Sequence, residues 1–125
     1  MAKLLSFLVI DSSLSARVIM RWHFTALDYH LDMAWNLESA QDRVSMKHYD
    51  FILMDIDLKE VYLIDEFKKS SPLNKESQVI YLASSQAKTV IKPGEKKVLV
   101  LPKPLTKNDT LKMIDYLKTV NESRK

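Results

Sequence analysis

Short apolar runs bounded by polar punctuation recur along the chain and alternate with longer stretches of helical spacing. This is the βαβα pattern of a parallel sheet covered on both faces, and it constrains the fold more than any other feature. The strand candidates are Leu4–Ile10, Leu31–Trp35, Phe51–Met54, Val79–Leu82 and Val98–Leu101. Helices are predicted from Leu14 to Leu27, Glu38 to Lys47, Glu60 to Lys69 and Lys107 to Val120, with Thr106 and Asp109 forming a capping box for the last. Between Ser84 and Lys97 only Ala87, Val90 and Ile91 offer apolar anchors before Pro93-Gly94 breaks the pattern, so a fourth helix there is expected to be short or irregular. With no repeat, linker or low-complexity tract, residues 1–125 are read as one α/β domain, a doubly wound five-stranded parallel sheet.

Composition removes several chemistries. The absence of cysteine excludes disulfides, cysteine-ligated zinc, iron–sulfur clusters and thiol nucleophiles. Gly94 is the single glycine, which excludes the glycine-rich loops of dinucleotide and P-loop sites. No apolar run approaches the roughly 20 residues that cross a bilayer, so a soluble, cytoplasmic protein with no membrane partner is expected. The formal charge of +3 is uneven: residues 1–85 are net −3 and residues 86–125 net +6. That basic end suits an acidic partner surface, but the absence of interleaved aromatics and of a helix-turn-helix weighs against nucleic acid. His23, His30 and His48 are scattered without a second ligand at metal spacing and read as structural or solvated.

In doubly wound sheets ligands gather at the carboxyl ends of the strands. Here Asp11 ends the first strand, Asp55 ends the third, and Lys103 follows the fifth, so two carboxylates and an ammonium converge on one rim. Clustered carboxylates repel unless a cation sits among them, and an oxygen-lined pocket of this kind suits Mg²⁺. Asp11, Ser12 and Ser13 are equally able to cap the first helix.

The chain resembles the receiver domain of two-component response regulators, the CheY-like family. The resemblance rests on Phe7-Leu8-Val9-Ile10-Asp11-Ser12-Ser13 with Arg17, Ala34-Trp35-Asn36 entering Glu38-Ser39-Ala40, Tyr49-Asp50-Phe51-Ile52-Leu53-Met54-Asp55, and Lys103-Pro104-Leu105-Thr106, in order along essentially the whole chain. It implies the flavodoxin-like (βα)5 fold. It also implies that Asp55 is the phosphoacceptor, that Asp11 belongs to the acidic pair organising Mg²⁺, that Lys103 contacts the phosphoryl oxygens, and that Asp57 offers the metal a backbone carbonyl or its side chain.

The departures from the family pattern matter equally. Ser12 stands at the second acidic position, Ala83 where a Thr or Ser usually ends the fourth strand, and Val100 in place of the aromatic on the fifth. The loop reading Asp57-Leu58-Lys59-Glu60-Val61 lacks the usual Pro and Gly. Losing one carboxylate weakens Mg²⁺, and losing hydroxyl and aromatic together uncouples a phosphoryl charge from any movement.

The resulting expectation is a stand-alone response-regulator-like signalling protein that acts by binding a partner rather than by turning over a substrate. A histidine kinase or phosphotransfer protein, a downstream protein target and a second copy of the chain in a homodimer are the candidate partners. The alternatives are a phosphorylation-independent adaptor, or pseudo-receiver, and a small phosphohydrolase using Asp55-Ile56-Asp57. A flavin carrier with Ser12, Ser13 and Ser15 as phosphate cradle lacks the necessary glycines.

The first predicted helix has two apolar faces, Ala16-Met20-Phe24-Leu27 and Leu14-Val18-Trp22-Ala26, and a sheet buries only one of them fully. The resemblance turns Met20, Phe24 and Leu27 inward, leaving Leu14, Val18 and Trp22 as a candidate partner face. Met20, Met33, Met46, Met54 and Met113 sit among apolar neighbours and read as core filler.

Overall fold

The computed structural model describes residues 5–25, 27, 29–55, 67, 69, 71–84, 99–103 and 106–123. The predicted fourth-helix segment 85–97, Asp57, and the predicted third helix apart from Phe67 and Lys69 lie outside the described residues. For Val100 and Lys103 the backbone alone is described.

The elements are β1 (Ser6–Ile10), α1 (Leu14–Thr25), β2 (His30–Ala34), α2 (Leu37–Met46), β3 (Phe51–Asp55), a 3-10 turn at Pro72–Asn74, β4 (Gln78–Ser84), β5 (Leu99–Lys103) and α3 (Lys107–Ser123). The five strands form one parallel sheet in the order β2-β1-β3-β4-β5. Each lies within two residues of its predicted bounds, and the order reverses between β1 and β3.

Alternation along the strands divides the core between the two faces of the sheet. Phe7 and Val9 join Met20 and Phe24 of α1 and Met113, Ile114 and Leu117 of α3 on one face. Leu8 and Ile10 join Leu37, Ala40 and Val44 of α2, with Phe67, on the other. Every residue of β3 is buried, which explains why the run Phe51–Met54 shows no polar alternation. Phe7 anchors the first face: its ring stacks on Phe51 at 5.5 Å and meets Phe24 edge-on at 5.0 Å.

Helix starts follow from side-chain caps. Ser13, rather than Asp11 or Ser12, caps α1, its Oγ accepting from the Ala16 N–H at 3.2 Å. Asn36 and Ser39 form a reciprocal box at α2, with Ser39 N–H donating to Asn36 Oδ1 at 2.8 Å and Asn36 N–H to Ser39 Oγ at 3.2 Å. The predicted box at α3 is present: Asp109 N–H donates to Thr106 Oγ1 at 3.0 Å, and Thr106 N–H to Asp109 Oδ2 at 3.3 Å.

One methionine corrects the core expectation. Met46 is 78% exposed. The buried stripe of α2 is Leu37, Ala40 and Val44, and two residues beyond Val44 a helix has turned about 200° away from it. Met20, Met54 and Met113 are buried as expected, and Met33 packs partly buried against the α1 face. Among the described residues no helix is long and apolar enough to cross a membrane.

A buried amide ties the amino-terminal end of the sheet together. Asn74 has no exposed surface; its Oδ1 accepts from Tyr49 N–H at 2.7 Å and Ser77 Oγ at 3.1 Å, and its Nδ2 donates to the carbonyls of Val44 and Lys47 at 3.0 and 2.8 Å. One side chain thus joins the end of α2, the approach to β3 and the approach to β4.

Candidate functional site

Parallel pairing of β1 and β3 places Ile10 opposite Met54, so the next residue on each strand is an aspartate, Asp11 and Asp55. Both lie at the reversal of strand order, where an open parallel sheet forms its crevice. They are 1% and 4% exposed, so the strand ends keep the carboxylates out of bulk water.

The backbone of Asp11 is held from both sides. Its N–H donates to the carbonyl of Ala34 at 3.0 Å, and its carbonyl accepts from Arg17 Nη1 at 2.7 Å. Its side-chain Oδ1 accepts from the Ser13 N–H at 2.9 Å, fixing the turn from β1 into α1. Arg17 therefore acts as a brace between the first turns of α1 and the pocket rim. Nothing about a lone arginine on a helix marks this role; the signal is its position one turn beyond the cap, facing back to the strand end.

Ser12, next to Asp11, is exposed and carries a neutral hydroxyl rather than a carboxylate. Ala83 is 5% exposed on β4 and pairs with Pro102 of β5. Its methyl group offers no hydrogen bond there. Asp55, Leu82 and Leu101 are successive partners across β3, β4 and β5, and Lys103 lies two residues further along β5. The backbone of Lys103 thus reaches the same rim as Asp11 and Asp55.

Among the described residues no cluster of three or more histidine, aspartate or glutamate side chains is placed to hold a metal ion. Among the described residues the carboxylates at these strand ends are Asp11 and Asp55. Two hard, buried carboxylates fit Mg²⁺, which is commonly bound through one or two carboxylates with water and phosphate oxygens completing the shell. They do not suit a soft or imidazole-seeking metal.

A second polar cluster, which the sequence does not announce, lies on the edge strand. Asp32 accepts from the Tyr49 hydroxyl at 2.5 Å and from His30 Nε2 at 2.9 Å, with Lys47 Nζ at 3.4 Å; Lys47 Nζ also meets His30 Nε2. Burial alone would push the Asp32 carboxyl up, but the hydrogen bonds from Tyr49 and His30 and the charges of His30 and Lys47 outweigh it and hold it at about 2. His30 lies two residues away on the same strand, but Lys47 and Tyr49 lie 15 and 17 residues away along the chain, so no local pattern reveals them.

On α1, Met20 and Phe24 are buried, whereas Leu14, Val18 and Trp22 face outward, Trp22 with 81% of its surface exposed. The expected division of the helix into an inner face and an exposed apolar stripe is what the structure contains.

No protein-family model matches the chain. Among curated proteins, the sensor protein EvgS of Escherichia coli O157:H7 is 28% identical over 120 residues, which cover 92% of this chain and 9% of EvgS. The chain thus spans about a tenth of that relative's length. Among solved structures, the N-terminal domain of a response regulator/sensory box/GGDEF protein from Carboxydothermus hydrogenoformans superposes with a TM-score of 0.77 at 18% identity, covering 95% of this chain and 98% of that one. The chemotaxis response regulator CheY4 of Vibrio cholerae gives 0.69 at 19% identity, covering 92% and 99%. The receiver domain of a sensor histidine kinase from Pseudomonas aeruginosa, with a magnesium ion coordinated in its active-site cleft, gives 0.71 at 14% identity, covering 92% and 98%. The chain has the fold of the CheY-like response-regulator receiver domains.

Proposed function

We propose that this chain is a receiver-like module of two-component signalling in which Asp55 accepts a phosphoryl group and the resulting charge alters binding to a partner protein. The observation that carries the reading is the pair of buried carboxylates, Asp11 and Asp55, side by side at the switch point of a receiver-type sheet. The sequence relative that is a sensor protein, and the fold neighbours that are response regulators, support the signalling context.

In the proposed reaction one Asp55 carboxylate oxygen attacks the phosphorus of a phosphohistidine donor. The P–N bond breaks, an acyl phosphate forms on Asp55, and the departing imidazole takes up a proton. Asp11 and Asp55 would hold Mg²⁺, which neutralises charge that develops on the transferred group. Asp11 is kept in place by Arg17 and by the Ser13 N–H, and Lys103 supplies a point charge for the phosphoryl oxygens. A neutral hydroxyl at Ser12 makes the proposed Mg²⁺ site weaker than one with three carboxylates. The exposed stripe on α1 begins at Leu14, three residues beyond Asp11, and is the surface on which a donor protein would sit. The module works by partner binding, without turnover of a substrate, and we place it in the cytoplasm.

A second reading, a phosphorylation-independent adaptor, draws on Ala83: a buried methyl group cannot hydrogen-bond a phosphoryl oxygen and so cannot relay its arrival. The two readings separate on incubation with acetyl phosphate and Mg²⁺ followed by intact-mass spectrometry. The phosphoacceptor reading predicts one added phosphoryl group, labile to hydroxylamine and absent from Asp55→Asn. An unchanged mass at saturating acetyl phosphate would leave the adaptor reading.

A further inference from the structure

Besides the stripe on α1, the described residues carry a second exposed apolar region, at the β2 edge of the sheet beside α2. Met33 and Trp35 at the end of β2 and Met46 at the end of α2 line an open groove of about 530 Å³. Trp35 is 58% and Met46 78% exposed. Glu38 and Asp42, one turn apart on α2, form an acidic row along the groove, with Arg43 beside them. The α1 stripe has the opposite character. Its flanking charge is the exposed Arg21, and no acidic residue occurs anywhere in α1.

These two surfaces are both apolar and opposite in sign of charge. Pairing α1 with α1 would set two basic surfaces against each other, and pairing groove with groove would set two surfaces of net negative charge against each other, since Glu38 and Asp42 outnumber Arg43. α1 against the groove is the pairing in which a basic surface meets a net acidic one. We propose that the occupant of the groove is the α1 stripe of a second copy of this chain, with Trp22 seated among Met33, Trp35 and Met46 and Arg21 facing Glu38 and Asp42. The contact is head-to-tail. Because the groove lining contains no residue of α1, each copy retains one open α1 and one open groove, so association continues into a chain unless it closes as a ring. It does not depend on phosphorylation of Asp55. It does cover the stripe beside Asp11, so self-association and docking of a phosphoryl donor compete for one surface.

The test is sedimentation equilibrium of the full chain from micromolar to millimolar concentration at low salt, with Trp22→Glu and Trp35→Glu as variants. Both tryptophans are exposed, and circular dichroism checks that each variant folds. The proposal predicts a weight-average mass that climbs with concentration in the native chain and stays at the monomer value in each variant alone. An equimolar mixture of the two variants should form a one-to-one dimer and nothing larger, because one copy keeps an intact groove and the other an intact α1. A native chain that stays monomeric throughout would overturn the proposal. A mixture that fails to associate would overturn it too, because that is the behaviour of a symmetric contact.

Discussion

The Tyr49 hydroxyl donates a 2.5 Å hydrogen bond to Asp32 Oδ2, joining the residue that leads into β3 to the edge strand β2. The bond sets a pH dependence of stability with two limbs. On the acid side, the folded Asp32 carboxyl titrates at about 2, below its ordinary 3.8, so its stabilisation is full above 3.8 and is lost as pH falls through about 2. Because the pair is partly solvated, about 1 kcal/mol is involved. On the alkaline side, burial first, and then the Asp32 bond and charge, hold the Tyr49 hydroxyl well above its ordinary 10.0; stability falls as pH rises past 10.0, where the unfolded chain ionises first. Tyr49→Phe should cost about 1 kcal/mol at neutral pH and flatten both limbs. Urea unfolding of both proteins across the pH range checks this.

Asn74 should be far less tolerant. Its amide satisfies the Val44 and Lys47 carbonyls and the Tyr49 N–H in a site without exposed surface. Asn74→Leu leaves all three without that partner and should destabilise by about 3 kcal/mol or more. Asn74→Asp keeps the acceptor but loses both donated bonds, so it should also destabilise strongly. Chemical denaturation midpoints read both effects.

At the start of α3, Thr106→Ala removes the oxygen that accepts the Asp109 N–H. A loss of about 1 kcal/mol is expected, and Thr106→Ser should retain most of the stability. Thermal unfolding followed by circular dichroism distinguishes the two.

The strands, and the burial of the two aspartates that end them, were legible in the sequence for one shared reason. A strand buried on both faces needs consecutive apolar residues, so an aspartate that ends such a run stands out, as Asp11 and Asp55 do after Phe7–Ile10 and Phe51–Met54. The split of α1 into an inward Met20-Phe24 face and an outward Leu14-Val18-Trp22 face was legible from the 100° turn per residue. Contacts between distant residues were not. Asn74 reads locally as a turn residue, and nothing in the sequence places it under Val44, Lys47 and Tyr49. Met46 is apolar but lies about 200° around the helix from Val44, so hydropathy alone does not reveal that it faces outward. The roles of Asp55, Lys103 and Asp57 in chemistry come from the resemblance to receivers and stand as proposals.

Ser12 offers a gain-of-function prediction. Placing a carboxylate next in sequence to Asp11 adds a full negative charge beside a proposed Mg²⁺ ligand, and Ser12→Asp should raise Mg²⁺ affinity by about tenfold or more. Isothermal titration calorimetry of the native chain and the variant under matched salt measures it.

The central claim is that Asp11 and Asp55 form a pocket that takes Mg²⁺ and then a phosphoryl group on Asp55. Its most direct test is the ¹⁵N amide NMR spectrum of the native chain, titrated with Mg²⁺ and then with beryllofluoride, with Asp55→Asn as the control. The account predicts Mg²⁺ shifts centred on Asp11 and Asp55, followed by beryllofluoride shifts around Asp55, Ala83 and Lys103 that are absent from the control. A spectrum unmoved at millimolar Mg²⁺ and saturating beryllofluoride would contradict it.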